Sequence, residues 1–181
     1  IVDAPATDAE PFYEPAPGLE ASQKRVVPEP AVQLTHGETS WSGVVWTIDG
    51  AELLSVPDVI ETARRDLRDR IVAISADSGE QREVLGSTEN LSVATVDVAP
   101  DGAVFALAND VGDEGTDFVA PGVALFVLDI DGPRLLTDPE TIDLGEVGSH
   151  LSFDGHDVLV QDRTRGRLRL LRVSREGRVE Q

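Results

Sequence analysis

Residues 96–102 read Val-Asp-Val-Ala-Pro-Asp-Gly, and residues 103–108 continue as Ala-Val-Phe-Ala-Leu-Ala. The central Asp-Gly pair suits a tight hairpin, because Gly accepts a positive φ and Asp tolerates it. The apolar runs on either side predict two strands joined by that turn. The same arrangement surrounds the Asp-Gly pairs that begin at Asp49 and Asp154, so the steps are 52 and 53 residues. A period near 50 with short strands in each repeat is typical of a β-propeller.

Each repeat predicts four antiparallel strands. One apolar strand enters the Asp-Gly turn, a second leaves it, a third follows a loop, and a weaker outer strand closes the unit. The predicted second strands are residues 52–56, 103–108 and 157–161, the third strands are 70–75, 124–129 and 168–173, and the first outer strand is 81–85. The inner strands are nearly continuous in apolar residues, as burial on both faces requires. We therefore predict an all-β fold, a partial β-propeller of about three four-stranded antiparallel blades.

The predicted blades cover about residues 32–88, 89–138 and 139–181. Residues 1–31 are rich in Pro and acidic side chains and show little periodicity. They are interpreted as an arm or as the degenerate remnant of an earlier blade. In the first blade, residues 32–35 are predicted to form an outer strand.

One segment interrupts the β pattern. Ile60, Ala63 and Leu67 recur at helical spacing within residues 58–70, which predicts a short helix or an ordered loop. Pro57 is predicted to end the strand before it.

The last predicted blade mixes two kinds of side chain. Three Arg alternate with apolar residues, namely Arg167, Arg169 and Arg172 with Leu168, Leu170 and Val173. This pattern predicts one solvated face, or a sheet edge protected by charge. A partner surface rich in Arg is the alternative.

Three blades are too few to close a ring, since known propellers have about 4–8. The chain contains no Met, even at position 1, from which we expect a processed or truncated polypeptide. The open sheets should pair with missing blades. A chain that stands alone would complete six blades as a dimer, which makes a homo-oligomer the alternative.

The charge distribution excludes one class of partner. The formal net charge is −19, with +5 in residues 163–181 and −24 in residues 1–162. Phosphate binding needs a basic surface, so we predict no nucleic-acid partner. The longest apolar run, residues 123–128, is far shorter than the ~20 residues of a membrane-spanning helix. With no Cys, the composition fits both the cytoplasm and export; we predict a cytoplasmic protein, with export after signal cleavage as the alternative.

The motif search predicts no catalytic, cofactor-binding or metal-binding residue. No Ser lies in a Gly-x-Ser-x-Gly motif, and Ser149 and His150 are neighbours that would point to opposite faces of a strand. His36 and His156 are predicted to be polar turn residues. The segment 109–117 is interpreted as an acidic loop rather than a calcium site, because its spacing differs from that of a calcium loop. Two aromatic residues, Trp41 and Trp46, are expected to pack in the core or between blades.

The strand-turn motifs resemble the Trp-Ser-Pro-Asp-Gly blades of TolB-like propellers. They resemble still more the propeller domain of the prolyl oligopeptidase family of serine peptidases, especially its acylaminoacyl-peptidase branch. The similarity is carried by residues 63–71, 115–119, 134–143 and 165–173. The first and third repeats lack the Pro before Asp-Gly, and the third also lacks the Trp.

The resemblance implies a non-catalytic propeller portion of a serine peptidase. Its implied role is to gate the access of short peptides to an α/β-hydrolase domain that follows it and is not in these 181 residues. There a Ser nucleophile, a His base and an Asp would carry out acyl transfer. The implied partners are the remaining blades, the hydrolase domain and short peptides. The alternative is a TolB-like propeller that acts as a protein-interaction scaffold with no enzyme attached.

Overall fold

A computed structural model of the chain describes residues 30–58, 66–119, 122–145 and 150–181. The chain divides into two units, residues 1–32 and residues 33–181. All regular strands described lie in the second unit, and residues 30–39 contain none. The outer strand predicted at residues 32–35 is therefore wrong. The helix or loop predicted over residues 58–70 lies mostly outside the described residues.

Within the described residues, twelve strands form three four-stranded antiparallel sheets, which confirms the predicted fold class. Sheet 1 contains β1 (Ser40–Trp46), β2 (Glu52–Asp58), β3 (Ile71–Ser75) and β4 (Gln81–Leu85); sheet 2 contains β5 (Leu91–Val98), β6 (Val104–Asp110), β7 (Ala124–Asp129) and β8 (Gly132–Leu135); sheet 3 contains β9 (Ser152–Asp154), β10 (Asp157–Thr164), β11 (Arg167–Val173) and β12 (Val179–Glu180). Within each sheet the strands are adjacent in chain order. A short 3₁₀ turn, Ser87–Glu89, precedes sheet 2.

The Asp-Gly pairs turn between the first and second strand of every sheet. Gly50, Gly102 and Gly155 have φ of 69°, 87° and 64°, a region in which a side chain is strained. The hairpins differ in length, because Thr47 bonds to Glu52 and Ala99 bonds to Ala103, whereas β9 and β10 pair directly at the turn. When residues are counted from these closing pairs, equivalent positions of the three second strands face the same side of their sheets.

Sheet 2 is packed on both faces. Its side chains alternate between two apolar cores, so that Phe105, Leu107, Leu125 and Val127 contact sheet 3, whereas Ala106, Ala108, Ala124 and Phe126 contact sheet 1. This alternation explains the continuous apolar runs of β6 and β7, since both faces of each strand must be apolar.

Pro57 lies inside β2, where it pairs with Trp41 of β1. The prediction that Pro57 ends this strand is wrong. The β2–β3 ladder stops at Ser55, while the β1–β2 ladder continues to Asp58. Since Pro has no N–H to donate, it is tolerated where one neighbouring strand has already ended.

Candidate functional site: the loop face and the open face of sheet 3

Charged side chains join the turns of sheets 2 and 3 at one end of the strands. The His156 Nδ1 atom lies 2.8 Å from Asp101 Oδ2, and Arg175 lies between Asp101 and Asp129 at 3.7 and 3.6 Å. Arg134 contacts Asp129 at 3.1 Å and donates to the carbonyl of Arg175. These contacts span four hairpin turns and β8. The side chain of His156, predicted only as a polar turn residue, thus links two blades.

The Asp101 carboxylate is held in its ionised form. The backbone N–H of Ala103 and then the ring of His156 lower the pKa of Asp101 below the ordinary Asp value of 3.8. The pKa of Asp143 is lowered too, first by the N–H of Gly145 and then by Arg163. Hydrogen bonds to a carboxylate favour the charged form, so both groups stabilise the fold when ionised.

Acidification should therefore destabilise the protein. Both carboxylates have a lower pKa in the folded chain than the ordinary value of 3.8. The stability that they contribute is therefore present at a pH above that ordinary value and is lost as the pH falls through the folded pKa values. We expect urea midpoints to change little between about pH 7 and 5 from these groups and to fall between about pH 4 and 2. An Asp101→Asn/Asp143→Asn double variant should show a smaller acid-induced fall. An equal fall in both proteins would contradict this assignment.

At the opposite end of the strands, loops connect each sheet to the next through carboxylates. Asp69 accepts hydrogen bonds from Ser92 Oγ at 3.0 Å and from the Val93 N–H at 2.7 Å. Asp162 accepts from the Asp143 N–H at 3.0 Å and from Arg169 Nε at 2.8 Å. Asp69 connects the β2–β3 loop of sheet 1 to β5 of sheet 2, whereas Asp162 satisfies a polar group in the linker between sheets 2 and 3. Both residues therefore have a structural role.

Asp162 was not singled out by the sequence. Its position is fully buried and lies on the same face of β10 as Val158 and Val160, opposite Arg169. The pattern does contain an indication: the apolar alternation at residues 158 and 160 predicts an inward side chain at 162, and a buried carboxylate needs a partner. Arg169, seven residues later on the next strand, supplies it.

The acidic loop at residues 109–117 forms hydrogen bonds within itself and to neighbouring Asn90. Asp110 Oδ1 accepts from the Gly112 N–H at 2.8 Å, and Asp113 accepts from Asn90 Nδ2 at 3.2 Å. Among the described residues, no three His, Asp or Glu side chains converge in a way that could hold a metal ion. His36 and His150 are exposed, and Ser149 lies outside the described residues. In the described part of the chain, no helix has the length and apolarity needed to cross a bilayer.

The open face of sheet 3 is the side that points away from sheet 2. It exposes Leu168 and Leu170, at 57% and 61%, together with the neighbouring Arg172. Register places Leu170 opposite Gln161 and Leu168 opposite Arg163. The interleaved Arg therefore do not form one solvated face of their own. Arg169 lies on the inner face, where it pairs with Asp162. Leu171 and Val173 continue that inner face, whereas Leu170 and Arg172 alternate with them on the open face.

Trp46 is also exposed, at 57%. It pairs with Leu53 on the side of sheet 1 that points away from sheet 2, whereas Val45 packs towards sheet 2. Trp46 therefore packs neither in the core nor between sheets 1 and 2. Packing of Trp46 against a further blade beyond sheet 1 stays a prediction. Trp41 is half-buried.

Two solved structures align with most of this chain. The chain aligns with an oligogalacturonate lyase in complex with manganese at a TM-score of 0.53 and 16% identity, over 77% of this chain and 36% of the lyase. A putative TolB from Agrobacterium tumefaciens aligns at a TM-score of 0.49 and 19% identity, over 81% of this chain and 50% of that protein. The chain thus spans between about a third and a half of these structures. No protein-family model and no curated protein matches the sequence.

The three stacked sheets and the similarity to the oligogalacturonate lyase, a propeller, define the class. The chain folds as part of a β-propeller. At 16% identity the similarity establishes the fold alone.

Proposed function

We propose that this chain is the non-catalytic propeller portion of a serine peptidase similar to the prolyl oligopeptidase family. In this role it gates the access of short peptides to an α/β-hydrolase domain. The single observation that supports a ring completed by further blades is the open face of sheet 3. There Leu170 is exposed at a position that is buried in sheets 1 and 2. The peptidase part is supported by the sequence resemblance at residues 63–71, 115–119, 134–143 and 165–173.

The physical basis of gating is the width of a ring of stacked sheets. A ring made rigid by apolar cores such as that between sheets 2 and 3 excludes folded proteins and admits extended short peptides. The hydrolase would supply the nucleophile, the base and the oxyanion-hole donors. The described residues of this chain would supply the wall around it.

The proposal is tested on the protein encoded by the intact gene. The coding sequence after the Gln181 codon should specify an α/β-hydrolase domain with a Gly-x-Ser-x-Gly motif. The purified product should hydrolyse N-acylated short peptide amides, and it should not cleave the same sequence placed inside a folded protein. A gene product without that domain, or one inactive on acylated peptides, would favour a TolB-like interaction scaffold instead.

A further inference from the structure

A cavity of about 460 Å³ lies at the end of sheet 1 where β2 ends and β3 begins. These two strands pair only as far as Ser55 and Val72. Pro57 lies just beyond that pair, and it has no N–H with which to extend the ladder. The resulting space reaches the start of sheet 2, where Ser92 of β5 lines it. Its volume is within the range of about 300–1,000 Å³ that is usual for ligand pockets.

Several polar side chains that line the cavity already have partners within the protein. Arg68 and Asp66 form an ion pair at 2.7 Å, and Arg68 Nε donates to the same carboxylate at 2.8 Å. Asp69 accepts a hydrogen bond from the hydroxyl of Ser92 at 3.0 Å. Because these groups bond to one another, they form a fixed polar wall around the cavity.

Two other charged side chains of the lining differ from this wall. Asp58 is exposed at the end of β2, and Arg70 is half-buried directly before β3. Within the part of the chain that the structure describes, neither side chain forms a hydrogen bond or an ion pair, and the two do not pair with each other. A guanidinium that is partly withdrawn from water needs acceptors to replace its lost hydration. The cavity thus presents one free cationic group and one free anionic group.

These two groups define the chemistry of a ligand. The guanidinium of Arg70 can bind a carboxylate through two parallel N–H donors, and the carboxylate of Asp58 can accept from an ammonium group. A ligand with a single charge leaves one of the two side chains unpaired, whereas a molecule with both charges satisfies both. Ser87 adds an exposed hydroxyl to the lining, which can donate or accept. Pro57 and Leu67 provide apolar contact for the carbon atoms between the ligand's two ends.

We propose that this cavity binds a small zwitterion, such as a short peptide with free termini or an amino acid. Arg70 binds the carboxylate of the ligand, and Asp58 binds its ammonium group. Binding at this position requires neither a completed ring nor a hydrolase domain, because every residue of the site belongs to sheets 1 and 2 and the loops beside them. The inference therefore goes beyond the gating role, and its failure would leave that role untouched.

Calorimetric titration of the 181-residue chain with alanyl-alanine tests the proposal. The dipeptide should bind saturably. Its C-terminal amide and its N-acetyl form should each bind about tenfold or more weakly, since each lacks one of the two charges. Free alanine carries the same two groups closer together, so the tighter of the two zwitterions shows which separation the cavity accepts. The proposal would be overturned if neither zwitterion bound, or if amidation and acetylation left binding unchanged.

Two variants assign the ends of the ligand. Arg70→Gln should weaken dipeptide binding about tenfold or more, and amidation should then cause no further loss, because the same ion pair is already absent. Asp58→Asn should respond to acetylation in the same way. The matched controls are Arg165→Gln and Asp131→Asn at exposed turn positions, which should bind like the wild type. Circular dichroism of all four variants checks that they are folded. If the variants at the cavity bound the dipeptide as well as the controls do, the assignment of the site would be refuted.

Discussion

Replacing Phe105 with Ala should lower the free energy of unfolding by about 3–5 kcal/mol. Phe105 is fully buried between sheets 2 and 3 and its ring lies 5.7 Å from that of Phe153, tilted by 47°. The substitution removes a large apolar side chain and leaves a cavity that the paired strands β6 and β7 cannot close. Since most domains are stable by only about 5–15 kcal/mol, the variant should be close to unfolding at room temperature. Urea denaturation followed by tryptophan fluorescence and circular dichroism measures the loss.

The matched control is Phe118→Ala. It makes the same chemical change at an exposed loop position, where little apolar contact is lost, and its effect should stay within about 0.5 kcal/mol. Similar losses in the two variants would mean that the core between sheets 2 and 3 does not stabilise the fold. That outcome would also remove the rigid wall on which the gating proposal depends.

The sequence predicts the fold well where local pattern and turn chemistry agree. β4 and β7 have the predicted bounds, 81–85 and 124–129, because apolar or alternating residues there end at Asp and Gly turns. The prediction fails at residues 32–35, where apolar and polar residues alternate as in a strand but no ladder forms. Alternation shows that a segment can form a strand, whereas pairing also needs a neighbour with free backbone groups.

The candidate site is less predictable because it depends on which strands are neighbours. The contact between His156 and Asp101 joins residues 55 positions apart, and no local pattern specifies it. The exposure of Trp46 and Leu170 depends on the number of sheets stacked, which the sequence of one sheet does not state. Arg169 and Arg172 look alike in the sequence, yet register places one beside buried Asp162 and the other on the open face.

Asp162 and Asp154 provide a second pair of matched substitutions, because each carboxylate contacts an Arg of β11. Asp162 is fully buried and contacts Arg169, whereas Asp154 is half-exposed and contacts Arg172. We expect Asp162→Ala to cost about 2–4 kcal/mol, since a partly buried guanidinium and the Asp143 N–H lose their acceptor. Asp154→Ala should cost less than about 1 kcal/mol, as exposed ion pairs usually do.

Asp162→Asn separates charge from hydrogen bonding. Its amide oxygen can still accept from the Asp143 N–H, but its charge no longer compensates Arg169, so the loss should fall between those of the two Ala variants. A double variant, Asp162→Ala with Arg169→Leu, should recover part of the stability, because the unpaired guanidinium is removed as well. Chemical denaturation of the wild type, Asp162→Ala, Arg169→Leu and the double variant measures the coupling. If Asp162→Ala and Asp154→Ala were equally mild, the buried carboxylate would not hold the linker between sheets 2 and 3, and the stacking of those sheets would rest on the apolar core alone.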